Sequence, residues 1–327
     1  MQWLVFEKNA IGHRGEYADV FSKVLNAKQI TGFSFANTVR LLKFPAVIFS
    51  SCDDYLIRFF LISLLRRWLG RPSVAIATRA EAVYKPSTVR IKLKRLIYEL
   101  LKKNSHIKVV SILPFYVEPR LKEIADDWIY DPQFWDIPYC NSGRHRNICP
   151  DEFTEHPKLS DSKAKVVLPG NISKRKGAEF MMELFLTNDL VRQNFSFILG
   201  GSILDVNHEI INDFENAGGI VLGRPPTFDE LIGLYDLADI IWCCYPKRFN
   251  HSSGIFARSL QLGVPVVIRK SSYLSRFDIP YTMKCMLDYG DIQGSAIALN
   301  KFKDQMSRNV IKLCSADKIR LICGRIT

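Results

Sequence analysis

Two stretches of the chain combine small residues, glycines and positive charge in patterns that suit anion binding. In the first, Asn250–Lys270, a predicted helix opens with Ser252, Ser253 and Gly254. A helix N-terminus has unsatisfied N–H groups and a partial positive charge, and small residues there let a phosphate or a sugar hydroxyl come close. Helix capping by serine is the alternative explanation of this pattern.

The second stretch is Gly170–Gly177, Gly-Asn-Ile-Ser-Lys-Arg-Lys-Gly, between the apolar run 166–168 and the helical run 178–186. Lys174, Arg175 and Lys176 stand where backbone N–H groups and a helix dipole already favour negative charge, so this loop can neutralise a diphosphate. A solvated basic turn is the alternative. Two strand–loop–helix segments about 80 residues apart favour a common ligand site over two unrelated turns.

Apolar runs alternate with helical periodicities along most of the chain. Strands are predicted at 2–7, 45–50, 73–78, 108–114, 164–169, 195–200, 219–222, 239–244 and 265–268, and helices at 15–27, 55–69, 88–103, 177–187, 206–216, 227–235 and 253–262. This order predicts an α/β fold of two Rossmann-like domains that face each other across a cleft lined by both anion loops. The predicted domains are 1–160, 161–290 and a helical segment 291–327, with the crossing between domains in 131–162.

Composition and cysteine usage indicate a globular protein of a reducing compartment. The 327 residues are 47% hydrophobic and 24% charged, enough for two packed domains. Eight cysteines show neither C-x-x-C pairs nor zinc-ligand spacing, which predicts free thiols in the cytosol and no metal site. The N-terminal residues lack the basic and long apolar regions of a secretory signal, in line with that expectation.

The positive charge is concentrated in one region. The net charge is +12, and thirteen lysines and arginines stand against two glutamates between 55 and 108, a local charge of +11. The apolar segment 55–69 is too short and too charged to span a bilayer, and the predicted helix 89–103 is amphipathic with basic flanks. Both suit peripheral contact with an anionic membrane surface. Ordinary core packing remains an alternative, whereas the few aromatics among these basic residues argue against nucleic acid.

About 110 residues of the second half resemble the GT-B-fold glycosyltransferases, in particular the retaining family with a Gly-Arg-x4-Lys-Gly loop and a Glu-x7-Glu motif before Gly-x-Pro-Val. Gly170–Gly177 has the length of that loop, with Lys176 at the position of its diphosphate-binding lysine. Gly223-Arg224 resembles the turn whose backbone meets the nucleobase. The segments 231–244 and 263–267 resemble the helix, strand and closing Gly-Val-Pro-Val-Val of the motif.

The chain departs from that family at functional positions. Asn171 replaces the loop arginine, and Asn250 and Arg258 stand where the two glutamates would fall. In the family the second glutamate holds the donor ribose and the first contacts the donor sugar. Arginine cannot accept a hydrogen bond. Our hypothesis is that Arg258 binds a phosphate bidentately and restores the charge missing at Asn171.

The first half resembles the family less specifically. Gly12-His13-Arg14-Gly15-Glu16 occupies the first strand-to-helix turn, beside which such enzymes hold the acceptor and the donor phosphate. His13 is a candidate base or phosphate contact because imidazole titrates near neutral pH, and Glu16 is a candidate to orient it. Simple capping of the helix is the alternative for both residues.

Together these features predict a cytoplasmic, membrane-peripheral glycosyltransferase that moves a sugar from a nucleotide-sugar to a lipid-linked or glycan acceptor. The resemblance implies a surface-polysaccharide pathway, no metal and no cofactor, the nucleotide-sugar being a co-substrate. The predicted donor-binding residues are Gly170, Asn171, Arg175, Lys176, Gly223, Arg224, Asn250, Ser252, Ser253, Gly254 and Arg258. A non-catalytic GT-B-like binding protein is the alternative, because both glutamates are replaced.

Overall fold

The computed structural model of the chain describes residues 2–9, 12–84, 88–139, 149–154 and 156–326. These form two compact units, one from 1–143 with 313–327 and the other from 144–312. The sequence predicts boundaries at 160 and 290 instead. In the structure, the described residues 149–154 and 156–160 belong to the second unit, and the predicted C-terminal segment is divided between both units.

The first unit is a parallel six-stranded sheet with helices between its strands. Its elements are β1 (Trp3–Glu7), α1 (His13–Leu25), β2 (Lys28–Thr31), α2 (Phe35–Lys43), β3 (Ala46–Phe49), α3 (Leu56–Trp68), β4 (Ser73–Ala77), α4 (Val89–Lys102), β5 (Ile107–Ser111) and β6 (Asp127–Trp128). The strand order is β2-β1-β3-β4-β5-β6. Strands β1, β3 and β4 are buried along their whole length, as continuous apolar runs in a parallel sheet require.

The second unit repeats this architecture. Its elements are α5 (Asp151–Thr154), β7 (Ala164–Pro169), α6 (Ala178–Thr187), α7 (Asp189–Asn194), β8 (Phe195–Ser202), α8 (His208–Asn216), β9 (Ile220–Gly223), α9 (Phe228–Leu237), β10 (Ile240–Cys243), α10 (Gly254–Gln261), β11 (Val266–Arg269), β12 (Lys284–Leu287) and α11 (Ile292–Lys303). The strand order β12-β11-β10-β7-β8-β9 is that of a Rossmann fold. The last helix, α12 (Ala316–Ile326), returns to the first unit, where Arg320 donates to the carbonyl oxygen of Val24 in α1.

Strand order reverses between β7 and β10 in the second sheet and between β1 and β3 in the first. In open α/β sheets, ligands bind outside the carboxyl ends of the strands at such a switch point. The loop 170–177 follows β7, and the loop 244–253 follows β10. Both predicted anion loops therefore leave neighbouring strands at the switch point of the second sheet.

Candidate functional site

The loop after β7 is held to its sheet by backbone contacts. Gly170 has a φ of 79° and donates to the carbonyl oxygen of Gly200 at 2.9 Å, and Ile172 donates to Ser202 at 2.8 Å. A short 3-10 helix covers Lys174–Lys176, and Gly177 then adopts a φ of 73° before α6. A Cβ at Gly177 would overlap the carbonyl oxygen of Cys244, so glycine lets the loop pack directly against the end of β10.

Two basic side chains of this loop lie over aromatic rings that follow β10. The guanidinium of Arg175 is 5.2 Å from the ring centre of Phe249, and Nζ of Lys176 is 5.6 Å from that of Tyr245. The two rings contact each other edge to face at 5.1 Å. The aromatic pair therefore joins the two predicted anion loops, as the strand order at the switch point leads one to expect.

The cations of this loop differ in what neutralises them. Lys174 pairs with Glu179 at 3.1 Å and is partly exposed. Within the described residues, neither Arg175 nor Lys176 forms a salt bridge with a carboxylate. Burial lowers the pKa of Lys176 to about 8. A half-buried ammonium held over an aromatic ring, with no carboxylate partner in the described part of the chain, is suited to receive an anion.

Ser253 performs the capping that the sequence left as an alternative. It is the N-cap of α10, where its Oγ accepts from the N–H of Phe256 at 3.4 Å and lies 2.9 Å from the hydroxyl of Tyr245. Tyr245 thus contacts both Lys176 and Ser253. Ser252 and Gly254 are half-buried beside the cap. Capping and ligand contact are compatible here, because a capped helix still has N–H groups in its first turn that lack partners within the helix.

Asn250 and Arg258, at the glutamate positions of the resemblance, occupy different surroundings. The side-chain oxygen of Asn250 accepts from the N–H of Tyr273 at 2.8 Å, which fixes the loop after β10 to the segment after β11. Arg258 is buried, and its guanidinium lies 5.3 Å from the ring centre of Phe228 at the start of α9. Asn171 is exposed in the loop after β7. The hypothesis that Asn171 and Arg258 face one anion stays a prediction.

The turn after β9 is organised by two carboxylates around Arg224. Its guanidinium donates to Glu152 at 2.6 and 2.8 Å and to Glu230 at 3.0 and 2.5 Å. The hydrogen bonds from Arg224 lower the pKa of Glu230 to about 2. Glu230 also completes a capping box with Thr227 at the start of α9. The Arg224 side chain is thus engaged within the protein, while Gly223, with a φ of 73°, is exposed at this turn.

In the first unit, His13 is the first residue of α1, and its side chain lies outside the described part of the structure. Glu16 is half-buried in the first turn of that helix. The proposed pairing of these two residues stays a prediction.

Several polar residues at the candidate sites were not predicted from the sequence. Glu7 ends β1 fully buried and accepts from the hydroxyls of Ser50 and Ser51 at 2.7 and 2.6 Å, at the switch point of the first sheet. In the sequence, Glu7 could have been identified as a charged residue at the end of an otherwise apolar strand. In the second unit, Arg269 donates to the carbonyl oxygen of Tyr245 at 2.9 Å and so helps to position that residue.

Ser173 adds a further polar group to the loop after β7. The residue is buried, and its Oγ has no hydrogen-bond partner among the described residues. Buried hydroxyls are nearly always paired, so this one is a candidate ligand contact. Elsewhere in the described part of the chain, no cluster of three or more His, Cys, Asp or Glu residues is arranged to hold a metal ion. Within the described residues no helix is both long and apolar enough to cross a membrane.

Comparison with known proteins identifies the fold. No protein-family model and no curated protein matches the chain. Among solved structures, the Anabaena protein HepE in complex with UDP is similar with a TM-score of 0.65 and 12% identity, over 99% of this chain and 95% of HepE. The sucrose-phosphate synthase of Thermosynechococcus elongatus gives 0.60 and 10%, over 93% and 90%. A glycosyltransferase of Rickettsia africae gives 0.60 and 11%, over 100% and 94%.

At these identities the similarity establishes the fold alone. Two Rossmann-like units that match such structures over nearly the whole chain constitute the GT-B fold, so the predicted α/β class with two Rossmann-like domains is confirmed. The roles of individual site residues stay predictions.

Proposed function

We propose that this protein is a glycosyltransferase that uses a nucleotide-sugar donor bound at the switch point of the second sheet. The observation that carries the proposal is the pair Arg175 and Lys176, which lie over Phe249 and Tyr245 without a carboxylate partner in the described residues. The solved structures of similar fold support it, since they include a sucrose-phosphate synthase and a glycosyltransferase, and HepE has been solved with UDP and with UDP-glucose.

In the proposed reaction, the bond between the sugar and the donor diphosphate breaks and negative charge grows on the leaving diphosphate. Arg175 and Lys176 stabilise that charge through electrostatic attraction. The first turn of α10, with Ser252, Ser253 and Gly254, contributes N–H groups and the positive end of the helix dipole. Gly223 and the backbone of Arg224 receive the nucleobase in this proposal.

Arg258 is proposed to replace a glutamate by contacting a donor phosphate rather than the ribose. Its buried position against Phe228, four residues beyond the Arg224 turn, is compatible with that role. The Arg258→Lys protein keeps a positive charge but loses the bidentate geometry, so we expect donor affinity to fall about tenfold. Unchanged affinity by isothermal titration calorimetry would reject this hypothesis.

The finer assignments follow the resemblance and are proposals as well. We propose hexosyl transfer with retention of anomeric configuration, a membrane-held glycan or lipid-linked acceptor in surface-polysaccharide synthesis, and a cytoplasmic, membrane-peripheral location. His13 is proposed as the base or phosphate contact near the acceptor, with Glu16 to orient it. Proton NMR of the product's anomeric position distinguishes retention from inversion.

Thermal-shift measurements with UDP-, GDP-, ADP- and CMP-sugars test the donor proposal. A ligand that binds only the folded protein raises its melting temperature, so one nucleotide class is expected to stabilise it. Release of the free nucleotide from that donor then distinguishes an enzyme from a non-catalytic binding protein. The binding protein is the second candidate because both glutamates of the family motif are replaced. A response to none of the sugars would overturn the proposal.

The affinity for the stabilising donor is expected to decline as the pH rises above about 8, because the ammonium form of Lys176 binds the diphosphate and burial lowers its pKa to about 8. Each further pH unit is expected to weaken binding about tenfold until the higher pKa of the complex is reached. A Lys176→Arg protein keeps its charge over this range, so its affinity is expected to stay constant. Calorimetric titrations between about pH 7 and 9.5 measure both, and parallel pH profiles would contradict the assignment to Lys176.

A further inference from the structure

Helices α3 and α4 each have two apolar faces, and only one of them is buried in the first unit. The buried faces include Phe59 and Ile62 of α3 and Ile97 and Leu101 of α4. The second apolar face of each helix is exposed. Its members, between 45% and 87% exposed, are Ile57, Leu61, Leu65 and Trp68 on α3 and Val89, Leu93, Leu96 and Leu100 on α4.

The spacing of these exposed residues shows that they form continuous stripes. On α3 they follow one another at intervals of four, four and three residues, and on α4 at intervals of four, three and four. Such intervals place side chains along one side of a helix. Helices α3 and α4 pack against each other, and Ile57 of one stripe lines the same cavity as Leu93 of the other. Scattered exposed leucines need no explanation, but a contiguous apolar patch marks an interaction site.

The charges around the stripes are almost all positive. Helix α3 contains three arginines and no acidic residue, and α4 contains five lysines and arginines with Glu99 as its acidic residue. Glu99 pairs with Arg95 of the same helix at 2.9 Å. Arg58, Arg67, Arg90 and Lys92 are exposed beside the stripes. This surface, which we call the α3–α4 face, therefore combines exposed apolar side chains with uncompensated positive charge.

A cavity of about 410 Å³ opens between the N-terminal parts of the same helices. Ile57 and Leu93 of the stripes line it, and so do four cations, Lys8, Arg58, Arg90 and Lys94. Two carboxylates are also present but are engaged elsewhere. Asp53 accepts from Thr78 and from the hydroxyl of Tyr98, and Asp54 pairs with Arg14. Within the described residues, none of the four cations forms a salt bridge with a carboxylate, so the cavity suits an anionic group.

We propose that the α3–α4 face docks on an anionic lipid bilayer, with the two stripes in the interfacial region and the cavity around a lipid phosphate. A basic amphipathic surface binds such a membrane through apolar burial and attraction to anionic headgroups. A symmetric pairing with a second copy would instead bring the same cations of both chains together, which is unfavourable. The docking proposal rests on the proposed function, because contact with a bilayer would bring a glycosyltransferase to a membrane-held acceptor.

Sedimentation with vesicles tests the docking face in the full chain. With phosphatidylcholine vesicles containing about 30% phosphatidylglycerol, the protein is expected to bind, and binding is expected to weaken from about 0.1 to about 0.5 M NaCl. The triple variant Leu61→Ser, Leu65→Ser, Leu96→Ser is expected to bind about tenfold more weakly or worse. A matched control, Leu190→Ser, Leu204→Ser, Ile297→Ser, changes equally exposed residues of the second unit and is expected to bind like the parent protein.

Two further measurements separate the parts of the proposal. Trp68 is 87% exposed, so its fluorescence is expected to shift to the blue on binding, and Trp68→Phe is expected to abolish that shift. The pair Arg58→Gln, Arg90→Gln is expected to lower the preference for phosphatidylglycerol over pure phosphatidylcholine by about tenfold while the stripes remain intact.

Several results would overturn the docking proposal. One is equal vesicle binding by the stripe variant and the control. Another is a dimeric parent protein that becomes monomeric in the stripe variant, as measured by size-exclusion chromatography. The third is salt-sensitive RNA binding, without vesicle binding, that the stripe variant loses. Donor-induced thermal shifts are measured on the same proteins. Vesicle binding without any donor response would reject the proposed function and leave the docking proposal standing. A donor response without vesicle binding would reject the docking proposal and leave the proposed function standing.

Discussion

A Lys176→Met protein is expected to lose about 10²–10³-fold in kcat/KM for release of nucleotide from the stabilising donor. Lys176 is a half-buried cation of the loop after β7, held over Tyr245 and without a carboxylate partner in the described residues. Methionine keeps the length and apolar stem of the side chain but removes the charge that opposes the leaving diphosphate. The loss is expected in both KM and kcat, because the charge binds the diphosphate of the bound donor and the negative charge on that group increases further in the transition state.

Lys174→Met is the matched control for this experiment. Lys174 belongs to the same 3-10 helix, but its ammonium is paired with Glu179 and is partly exposed. Its replacement is expected to change kcat/KM by less than about threefold, as for an exposed ion pair. If the two methionine variants were equally active, Lys176 would not be the group that stabilises the leaving diphosphate.

Gly177→Ala is expected to destabilise the second unit by about 2–4 kcal/mol. Two costs combine at this residue. A φ of 73° is unfavourable for alanine, and its Cβ would overlap the carbonyl oxygen of Cys244, a backbone atom that cannot move aside without shifting the end of β10. Urea denaturation followed by tryptophan fluorescence, to which Trp242 contributes from its buried position beside the loop, measures the loss.

Gly170→Ala separates these two costs. Gly170 has a φ of 79°, but a Cβ there would meet no atom within 4 Å. Only the conformational cost applies, so a loss of about 1 kcal/mol is expected. Equal losses in the two alanine variants would show that the close packing of the loop on β10 contributes nothing to the stability of this unit.

Most strands and helices were predictable because their signals are local. The buried strands β1, β3, β4, β7 and β10 are short apolar runs between turn residues, and the structure confirms each of them within two residues. The strands β2, β6 and β12 were missed. β2 is a half-exposed edge strand, Lys-Gln-Ile-Thr, with no apolar run, and it forms because β1 offers it a hydrogen-bonding edge. Such an edge is a property of the assembled sheet.

The candidate site was predictable in its loops but less so in its contacts. Ser253 was expected at a helix N-terminus and is there as the cap. Tyr245 and Phe249, which hold the two basic side chains, were missed, because an aromatic residue after a strand has no distinctive spacing. Arg224 was expected near the donor, yet the structure also engages its side chain with Glu152, 72 residues away.

By itself, the sequence determined the βα order, the two glycine-bounded loops that follow strands, and the basic region between 55 and 108, because these depend on neighbouring residues. Only the tertiary structure decided that Lys176 meets Tyr245 and that Arg175 meets Phe249, since each contact joins residues about 70 positions apart across adjacent strands. It also decided which apolar stripes of α3 and α4 face the core. A helix with apolar residues on two sides has the same periodicity whichever side is buried, so exposure depends on packing against the rest of the unit.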